Sequence, residues 1–194
     1  MSTAPRQLMG RAERQASILR GAAEAFARSG FAATSMEDVA AASGITKLIV
    51  YRHFESKEEL YRAVLGRVTE RLAEEFLANL NRTDRRGVGV RALLTVARED
   101  PDAFVLLWRH ASREPQFAEY AREQRAQAVL AARHFLEGVF DDDISARWAA
   151  EAVVGTSVEA VLAWLDGGDP RRDEEMIELT SDGLLAMRRA WAAR

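Results

Sequence analysis

The chain has no cysteine among its 194 residues and only two lysines, Lys47 and Lys57. Without cysteine it cannot form disulfides, thiolate zinc sites, iron–sulfur clusters or cysteine nucleophiles, and a reducing cytoplasm fits this composition. Long apolar runs are also missing: Phe104 to Trp108 is among the longest runs of large apolar residues, far below the roughly 18 needed to span a bilayer. The first residues contain no apolar stretch of the signal-peptide type. The composition therefore predicts a soluble cytoplasmic protein with no membrane partner.

A strong charge of one sign is missing as well. The 27 Lys and Arg residues face 30 Asp and Glu residues, which gives a formal net charge of −3 and by itself argues against a basic nucleic-acid-binding protein. The charge is unevenly divided, however. Residues 1–54 hold seven basic and four acidic residues, a balance of +3, and the remainder holds 20 basic and 26 acidic residues, a balance of −6. This division indicates an amino-terminal end suited to face phosphate and an acidic body held away from it.

The apolar pattern has a helical period throughout. Apolar residues recur at spacings of three and four, and no segment alternates as a strand does. The pattern predicts an all-α chain of about nine helices. The second helix starts after Ser35, and Ser35 and Asp38 together resemble a capping box. Ser56 and Glu59 form a second capping box, at the start of the fourth helix. The other predicted helices cover residues 11–28, 46–51, 56–80, 90–99, 102–113, 116–140, 144–166 and 174–194.

Residues 35–51 form two short predicted helices separated by a turn at Ser43 and Gly44. Val39 and Val50 would pack the helices together, as in a helix-turn-helix. The second helix would then fit the major groove of DNA with its amino-terminal residues nearest the base edges. From spacing alone, an ordinary helical hairpin of a bundle stays open as the other interpretation.

The amino-terminal residues resemble the DNA-binding domain of the TetR family of transcriptional regulators over roughly residues 12–72, with the helix-turn-helix at about 35–54. Beyond residue 72 the chain resembles the family only in its length and helical character, so residues 73–194 are assigned to a ligand-sensing and dimerisation domain. The motifs that carry the resemblance are Ile18-Leu19, Ala22-Ala23, Phe26, Gly30-Phe31, Thr34-Ser35, Val39-Ala40, Ser43 to Lys47, Tyr51 to Phe54 and Ser56 to Leu60.

The resemblance implies several contacts to the DNA backbone. Thr34 and Ser35, at the start of the second helix, would offer hydroxyl and backbone N–H groups to phosphate. Tyr51 and His53 match a pair of phosphate-contacting residues, and Lys57 would add another contact. For His53, local packing at a helix end is the open alternative. For Lys57, the open alternative is a solvated charge.

The resemblance also implies which residues read bases. Thr46 and Lys47 begin the recognition helix, so Lys47 would bind guanine acceptors in the major groove. Leu48 stands where many family members have glycine. The leucine would alter the docking depth or offer an apolar contact to a thymine methyl group. Arg6 and Arg11 precede the first helix and would form a basic arm near the DNA, with a disordered tail as the alternative.

The carboxy-terminal domain is expected to bind a small molecule and to pair with a second copy. An apolar or aromatic effector would lie among the middle helices, although core packing is an alternative for each residue proposed there. The last two long helices would form the homodimer. The expected effector-pocket residues are Phe76, Phe104, Leu107, Trp108, His110, Phe117, Tyr120, Gln124 and Gln127, and the expected dimer-interface residues are Trp148, Ala152, Gly155, Leu162, Leu184, Met187 and Trp191.

Two other classes of protein compete with a regulator. A di-iron bundle enzyme needs Glu-x-x-His pairs, and none of the three histidines has an acidic residue three positions earlier. Metalloprotease, phosphate-loop and nucleophile-elbow motifs are missing too. An architectural DNA-binding protein would not need so long a carboxy-terminal domain. The sequence therefore predicts a non-enzymatic, cofactor-free, ligand-responsive homodimeric repressor of the TetR type that binds a near-palindromic operator.

Overall fold

The structure is a computed structural model that describes residues 10–81 and 86–193; Arg6 of the predicted basic arm lies outside them. Within these residues the chain forms nine α-helices and no strand, which confirms the predicted all-α class. A π-helical turn (Leu106–His110) and a 3-10 turn (Ala111–Arg113) follow α6, and another 3-10 turn (Pro170–Arg172) precedes α9. The helices are α1 (Arg11–Ala33), α2 (Met36–Ala42), α3 (Lys47–Tyr51), α4 (Lys57–Leu80), α5 (Val88–Glu99), α6 (Pro101–Val105), α7 (Ala118–His134), α8 (Asp143–Gly167) and α9 (Asp173–Ala192).

The chain divides into two compact units, Met1–Gly66 and Arg67–Arg194. The division falls inside α4, whereas the sequence suggested one between residues 72 and 73. No proline or turn marks either place, because one helix runs through both. The amino-terminal unit therefore holds α1 to α3 and the start of α4.

The core of the amino-terminal unit is built on α1. Phe26 is fully buried and its ring lies 5.0 Å from that of Tyr61, which also contacts Phe31 at 5.4 Å. Val39 from α2 and Val50 from α3 are fully buried as well. Apolar burial on this scale stabilises the unit, since each such side chain contributes roughly 1.5–3 kcal/mol.

The second unit is organised around α8, which contacts α5 and α7. Ala149, Val161 and Leu162 of α8 are fully buried and join Phe104 in one hydrophobic cluster. Among the described helices, α8 is the one long and apolar enough to cross a membrane by length and composition. Its place in this cluster is that of the core helix of a globular unit.

Two ion pairs attach the start of α9 to α5, and a hydrogen bond attaches it to α8. The guanidinium of Arg98 donates two hydrogen bonds to Asp173, at 2.8 and 3.0 Å, and the indole N–H of Trp164 donates to the same carboxylate at 2.6 Å. These donors lower the pKa of Asp173, with Arg98 as the larger cause. Arg91 forms a second bidentate pair with Glu174. Three helices are thereby fixed around one end of the unit.

Three predicted helices differ in detail from the structure. α1 breaks near its predicted end, at Gly30, whose φ of 77° and ψ of 164° lie outside the helical region, but the chain then resumes for one helical turn before α2. Residues 101–113 are not one α-helix, because the chain changes to a π turn at Leu106. α7 ends at His134 rather than at residue 140, since the following residues turn through Gly138 with φ 72°.

Candidate nucleic-acid interface and internal cavity

The segment from Ser35 to Tyr51 has the local geometry of a helix-turn-helix. Ser35 caps α2: its hydroxyl accepts the backbone N–H of Asp38 at 3.2 Å, and the Asp38 carboxylate accepts the Ser35 N–H at 2.8 Å. The predicted capping box is confirmed. The turn passes through Gly44 at φ 65°, a value that favours glycine. The N–H of Ile45 then bonds the Ala40 carbonyl at 3.0 Å, which closes the turn before α3.

The exposed face of α3 carries predicted base-reading residues and one predicted phosphate contact, Tyr51. Lys47, Leu48 and Tyr51 are all exposed, with 70% of Leu48 and 45% of Tyr51 accessible. The Lys47 ammonium lies 5.5 Å from the centre of the Tyr51 ring and pairs with the carboxylate of Glu37 on α2. This pair raises the pKa of Lys47 and lowers that of Glu37. Lys47 is therefore a charged donor, and its bond to Glu37 competes with any contact to a guanine acceptor or a phosphate.

A cationic flank lies beside α3. His53 is half-buried, and burial first, then the charges of Arg11, Arg14 and Arg52, lower its pKa. These effects disfavour the charged imidazole, so the phosphate contact predicted for His53 would rest on a hydrogen bond more than on charge. Arg14 and Arg52 were not among the predicted DNA contacts. A signal was available in the sequence, because both lie close in sequence to predicted contacts, Arg11 and Tyr51.

The structure places the side chain of Thr34 in the protein interior, contrary to the predicted hydroxyl contact to phosphate. Thr34 is 2% exposed, and its hydroxyl lies 2.7 Å from the Gly30 carbonyl and 3.1 Å from that of Ala25. The Gly30 carbonyl also accepts the Thr34 backbone N–H at 3.3 Å, so Thr34 closes the break in α1 with both its side chain and its backbone. Sequence alone could not reveal this, since a threonine at a helix start has the same pattern in either role.

Lys57 and Ser35 are also engaged within the protein. The Lys57 ammonium donates to the carbonyls of Phe31, Ala32 and Thr34 at 2.7, 3.3 and 2.9 Å, and it lies 4.5 Å from the Phe31 ring centre. All three of its hydrogens thus have acceptors. The predicted phosphate contacts of Ser35 and Lys57 stay predictions, with their polar atoms already bonded to α2 and to the end of α1.

The second unit contains a cavity of ≈ 390 Å³, within the range of small-molecule pockets. Its walls come from α4, α5, α7, α8, α9 and the π turn, and most of the side chains are apolar. Arg86 and Arg188 are the charged residues among the described lining residues, which include no carboxylate. Both arginines are exposed, so they lie at the edge of the cavity rather than in its depth.

Five predicted pocket residues line this cavity, and four do not. Phe104 and Phe117 are fully buried and belong to the core instead. Tyr120 lies behind the wall, where its hydroxyl donates to that of Thr69, a lining residue, at 3.1 Å. His110 ends the π turn outside the lining, and burial first, then Arg113 and Arg109, lower its pKa. The predicted residues that line the cavity are Phe76, Leu107, Trp108, Gln124 and Gln127.

Most residues of the cavity wall were not predicted from the sequence. Residues of α5, such as Val90 and Leu93, and of α8 and α9, such as Ser157 and Leu185, line it but were not predicted. Their helical spacing marks an inward face without telling a packed neighbour from an empty space. Gly87, with φ 67°, also lines the cavity.

The predicted dimer residues fall into two groups. Trp148 is 60% exposed, and Ala152 and Gly155 follow at spacings of four and three on a half-buried face of α8. Leu162 contradicts its prediction, because it is fully buried in the core of its own unit. Leu184 is half-buried and lines the cavity, so it also faces inward.

The remaining predicted residues lie on α9. Trp191 contacts the rings of Trp148 and Phe140, each at 5.8 Å, and Met187 is half-buried. Sequence reasoning missed an exposed stripe on the same helix that begins with Leu179, which is 66% exposed, and continues in small residues at helical spacing. That stripe consists of Leu179, Gly183, Ala186 and Ala190.

Comparisons with known proteins agree with this geometry. Residues 18–64 match the family described as bacterial regulatory proteins, tetR family. A protein of Mycolicibacterium smegmatis named HTH-type transcriptional activator FasR is 30% identical over 183 residues, which cover 88% of this chain and 80% of that protein. A solved TetR-like transcriptional regulator from Rhodococcus sp. RHA1 has a TM-score of 0.74 and 22% identity, covering 92% of this chain and 99% of its own. A second solved structure, of AibR in complex with isovaleryl coenzyme A and operator DNA, has a TM-score of 0.66 and 21% identity, covering 90% and 97%.

Proposed function

Because the chain belongs to the TetR family of DNA-binding bacterial transcriptional regulators, we propose that it is a homodimeric repressor, not an enzyme, that leaves its operator when a small apolar molecule enters the cavity of the second unit. The observation that carries the proposal is the exposed face of α3, where Lys47, Leu48 and Tyr51 stand clear of the helix-turn-helix core. As a regulator of transcription it would act in the cytoplasm.

The proposed reading head is α3 in the major groove. Lys47 would leave Glu37 and donate to guanine O6 or N7, while Leu48 would contact a thymine methyl group. Tyr51, His53 and the flanking arginines would bind phosphates and fix the register of the helix without reading sequence. Leu48, larger than glycine, would hold α3 slightly farther from the groove floor than a glycine would allow.

The proposed dimer is formed by α8 and α9 of two copies. The stripe of Trp148, Ala152 and Gly155 on α8, together with the small residues of α9, gives two open helix faces. Small residues permit close approach of helices, and two helices from each copy would make a four-helix interface. Two copies would present two α3 helices, which matches an operator of two half-sites about one helical turn, or a multiple of it, apart.

The proposed coupling runs through α4. Its residues Thr69, Leu72, Ala73 and Phe76 line the cavity, and the same helix begins at Lys57 in the amino-terminal unit. An effector shifts the protein away from the operator only if it binds the DNA-incompetent conformation better than the competent one. A protein of this fold has been solved with both a ligand and operator DNA, which supports a ligand-responsive regulator.

Repression and activation are distinguished by where the operator lies. The relative in M. smegmatis is named an activator, so activation is the second candidate function. In a purified transcription assay with bacterial RNA polymerase, we expect the protein to lower transcript from a promoter that overlaps its operator. An increase in transcript would establish activation instead.

The proposed function is tested by footprinting purified protein on the DNA that flanks its own coding region. We expect protection of two related half-sites, lost when butyrophenone, a small and largely apolar molecule, is added at concentrations that saturate binding measured by calorimetry. The absence of any sequence-specific footprint would contradict operator binding there. A probe that binds in calorimetry and leaves the footprint unchanged would contradict ligand responsiveness.

The homodimer has a separate test. Light scattering should give twice the 21.6 kDa chain mass for the wild type and the single-chain mass for Trp148→Glu. Leu77→Glu is the matched control, because Leu77 is equally exposed but lies on α4, and it should leave the dimer intact. A monomeric wild type would contradict the proposed dimer.

A further inference from the structure

The indole N–H of Trp108 is a buried donor without an acceptor in the described part of the chain. The Trp108 side chain lines the cavity. Buried polar groups in native proteins nearly always have a hydrogen-bond partner, and a buried group that lacks one needs an explanation such as a missing water or ligand. This indole therefore lacks an acceptor within the described protein, and because its N–H is closed to water, an acceptor in the cavity reaches it only if the ring turns.

The backbone around Trp108 is irregular as well. Leu106–His110 form a π turn directly after α6, and π turns inside helices occur frequently at functional sites because they insert one residue and redirect the side chains that follow. Phe104, one element earlier, is fully buried in the core and its ring centre is 6.3 Å from that of Trp108. The turn thus carries the chain from a core position to a cavity position within four residues.

Hydroxyl groups near the same cavity are already satisfied from within. The Ser157 hydroxyl donates to the Val153 carbonyl at 2.8 Å, and the Ser181 hydroxyl donates to the Ile177 carbonyl at 2.5 Å. Tyr120 donates to Thr69. Trp108 differs from them, because its N–H is buried and unbonded. The described lining also holds no carboxylate that would repel an electron-rich oxygen.

We infer that the effector carries a carbonyl oxygen on an otherwise apolar body, and that the Trp108 N–H binds this oxygen. The inference rests on the proposed function, since it assumes that the cavity is the effector site. Trp108 then discriminates between molecules of equal size: a carbonyl compound satisfies the buried donor, and a hydrocarbon leaves it unsatisfied. Sites that hold a buried polar group reject analogues that lack its partner for this reason.

The test compares butyrophenone with pentylbenzene, which have the same number of non-hydrogen atoms and differ in the carbonyl. Binding of each to the full-length protein is measured by calorimetry for the wild type, Trp108→Phe and the control Phe76→Leu. Trp108→Phe should raise the Kd of butyrophenone about tenfold and that of pentylbenzene about twofold or less. Phe76→Leu, which changes an apolar wall residue, should affect both probes alike.

A direct spectroscopic measurement covers the case in which Trp108→Phe fails to fold. In wild-type protein with ¹⁵N-labelled indoles, the N–H resonance of Trp108 should move downfield with butyrophenone and not with pentylbenzene. An equal loss of both probes in Trp108→Phe, or no such shift, would overturn the inference and leave the effector cavity standing. If the wild type binds neither probe, the inference and the ligand-responsive part of the proposed function both fail.

Discussion

Gly21 of α1 lies against the turn of the helix-turn-helix, and replacing it with alanine tests that packing. A methyl group at Gly21 would lie 2.3 Å from the Ser43 hydroxyl oxygen, 2.7 Å from the Ser43 nitrogen and 2.9 Å from its Cα. The hydroxyl can rotate away, but the backbone atoms cannot. The Ser43 N–H is bonded to the Val39 carbonyl at 2.9 Å, so moving it disturbs the end of α2.

Two effects of opposite sign decide the outcome for Gly21→Ala. Alanine favours a helix interior over glycine by about 0.8–1 kcal/mol. Overpacking a filled site costs about 1–3 kcal/mol. Two backbone atoms of Ser43 would lie closer than 3.0 Å to the added methyl group, so the cost here should be near the upper end of that range. The net expectation is a loss of about 2 kcal/mol in the unfolding free energy of the amino-terminal unit. Gly66→Ala is the control, because nothing lies within 4 Å of the added methyl, and it should gain about 0.5–1 kcal/mol.

Hydrogen exchange read by mass spectrometry reports the two units separately. Peptides from residues 10–66 should exchange faster in Gly21→Ala, and urea unfolding followed by circular dichroism gives the free energy. All four tryptophans lie beyond residue 66, so tryptophan fluorescence monitors the second unit and should not change. A Gly21→Ala protein as stable as the wild type, or stabilised as Gly66→Ala is, would refute the packing of α1 against the turn.

Three further predictions use the same measurements. Lys57→Met keeps most of the side chain but removes the donor to three carbonyls, so the amino-terminal unit should lose about 1–2 kcal/mol; unchanged stability with weaker DNA binding would instead favour a phosphate contact. Gly87→Ala forces a non-glycine residue to φ 67° and brings its methyl 2.4 Å from the Ser181 hydroxyl. Unfolding followed by tryptophan fluorescence should show that the second unit loses about 1–3 kcal/mol of unfolding free energy. An unchanged free energy would contradict that contact. The pKa values of His53 and His110 are lowered on folding, so at falling pH the unfolded chain takes up protons before the folded protein does. The unfolding free energy should therefore fall as the pH drops below about 6.5. A protein with both histidines replaced by Gln that shows the same pH dependence as the wild type would contradict this.

The helix-turn-helix could be predicted because its signals are local. The Ser35–Asp38 capping box, the Gly44 turn and the apolar spacing of Val39 and Val50 act within a few residues of one another, and the structure has each of them. The Ser56 cap of α4 is similar: its hydroxyl accepts the Glu59 N–H at 3.0 Å. The predicted reciprocal contact differs slightly, since the Glu59 carboxylate accepts the N–H of Glu55.

The roles of individual side chains in the second unit could not be predicted because they depend on contacts distant in the sequence. Leu162 and Trp148 share an apolar pattern on α8, yet one is fully buried and the other is 60% exposed. Phe117 and Phe76 are both aromatic residues on inward faces, but only Phe76 meets the cavity. Helical spacing gives the face of a helix, whereas the partner of that face depends on how the other helices pack. The π turn also has no sequence signal of its own.

Base reading by Lys47 of α3 is the core of the proposed function. Its most direct test measures the affinity of wild type, Lys47→Ala and Arg52→Ala for the operator and for every single-base variant of one half-site, over a range of salt concentrations. We expect Lys47→Ala to abolish discrimination at one or two base positions, worth about 1–3 kcal/mol at each. Arg52→Ala should weaken all sequences alike. Uniform weakening by Lys47→Ala, with discrimination retained at every position, would show that Lys47 does not read bases.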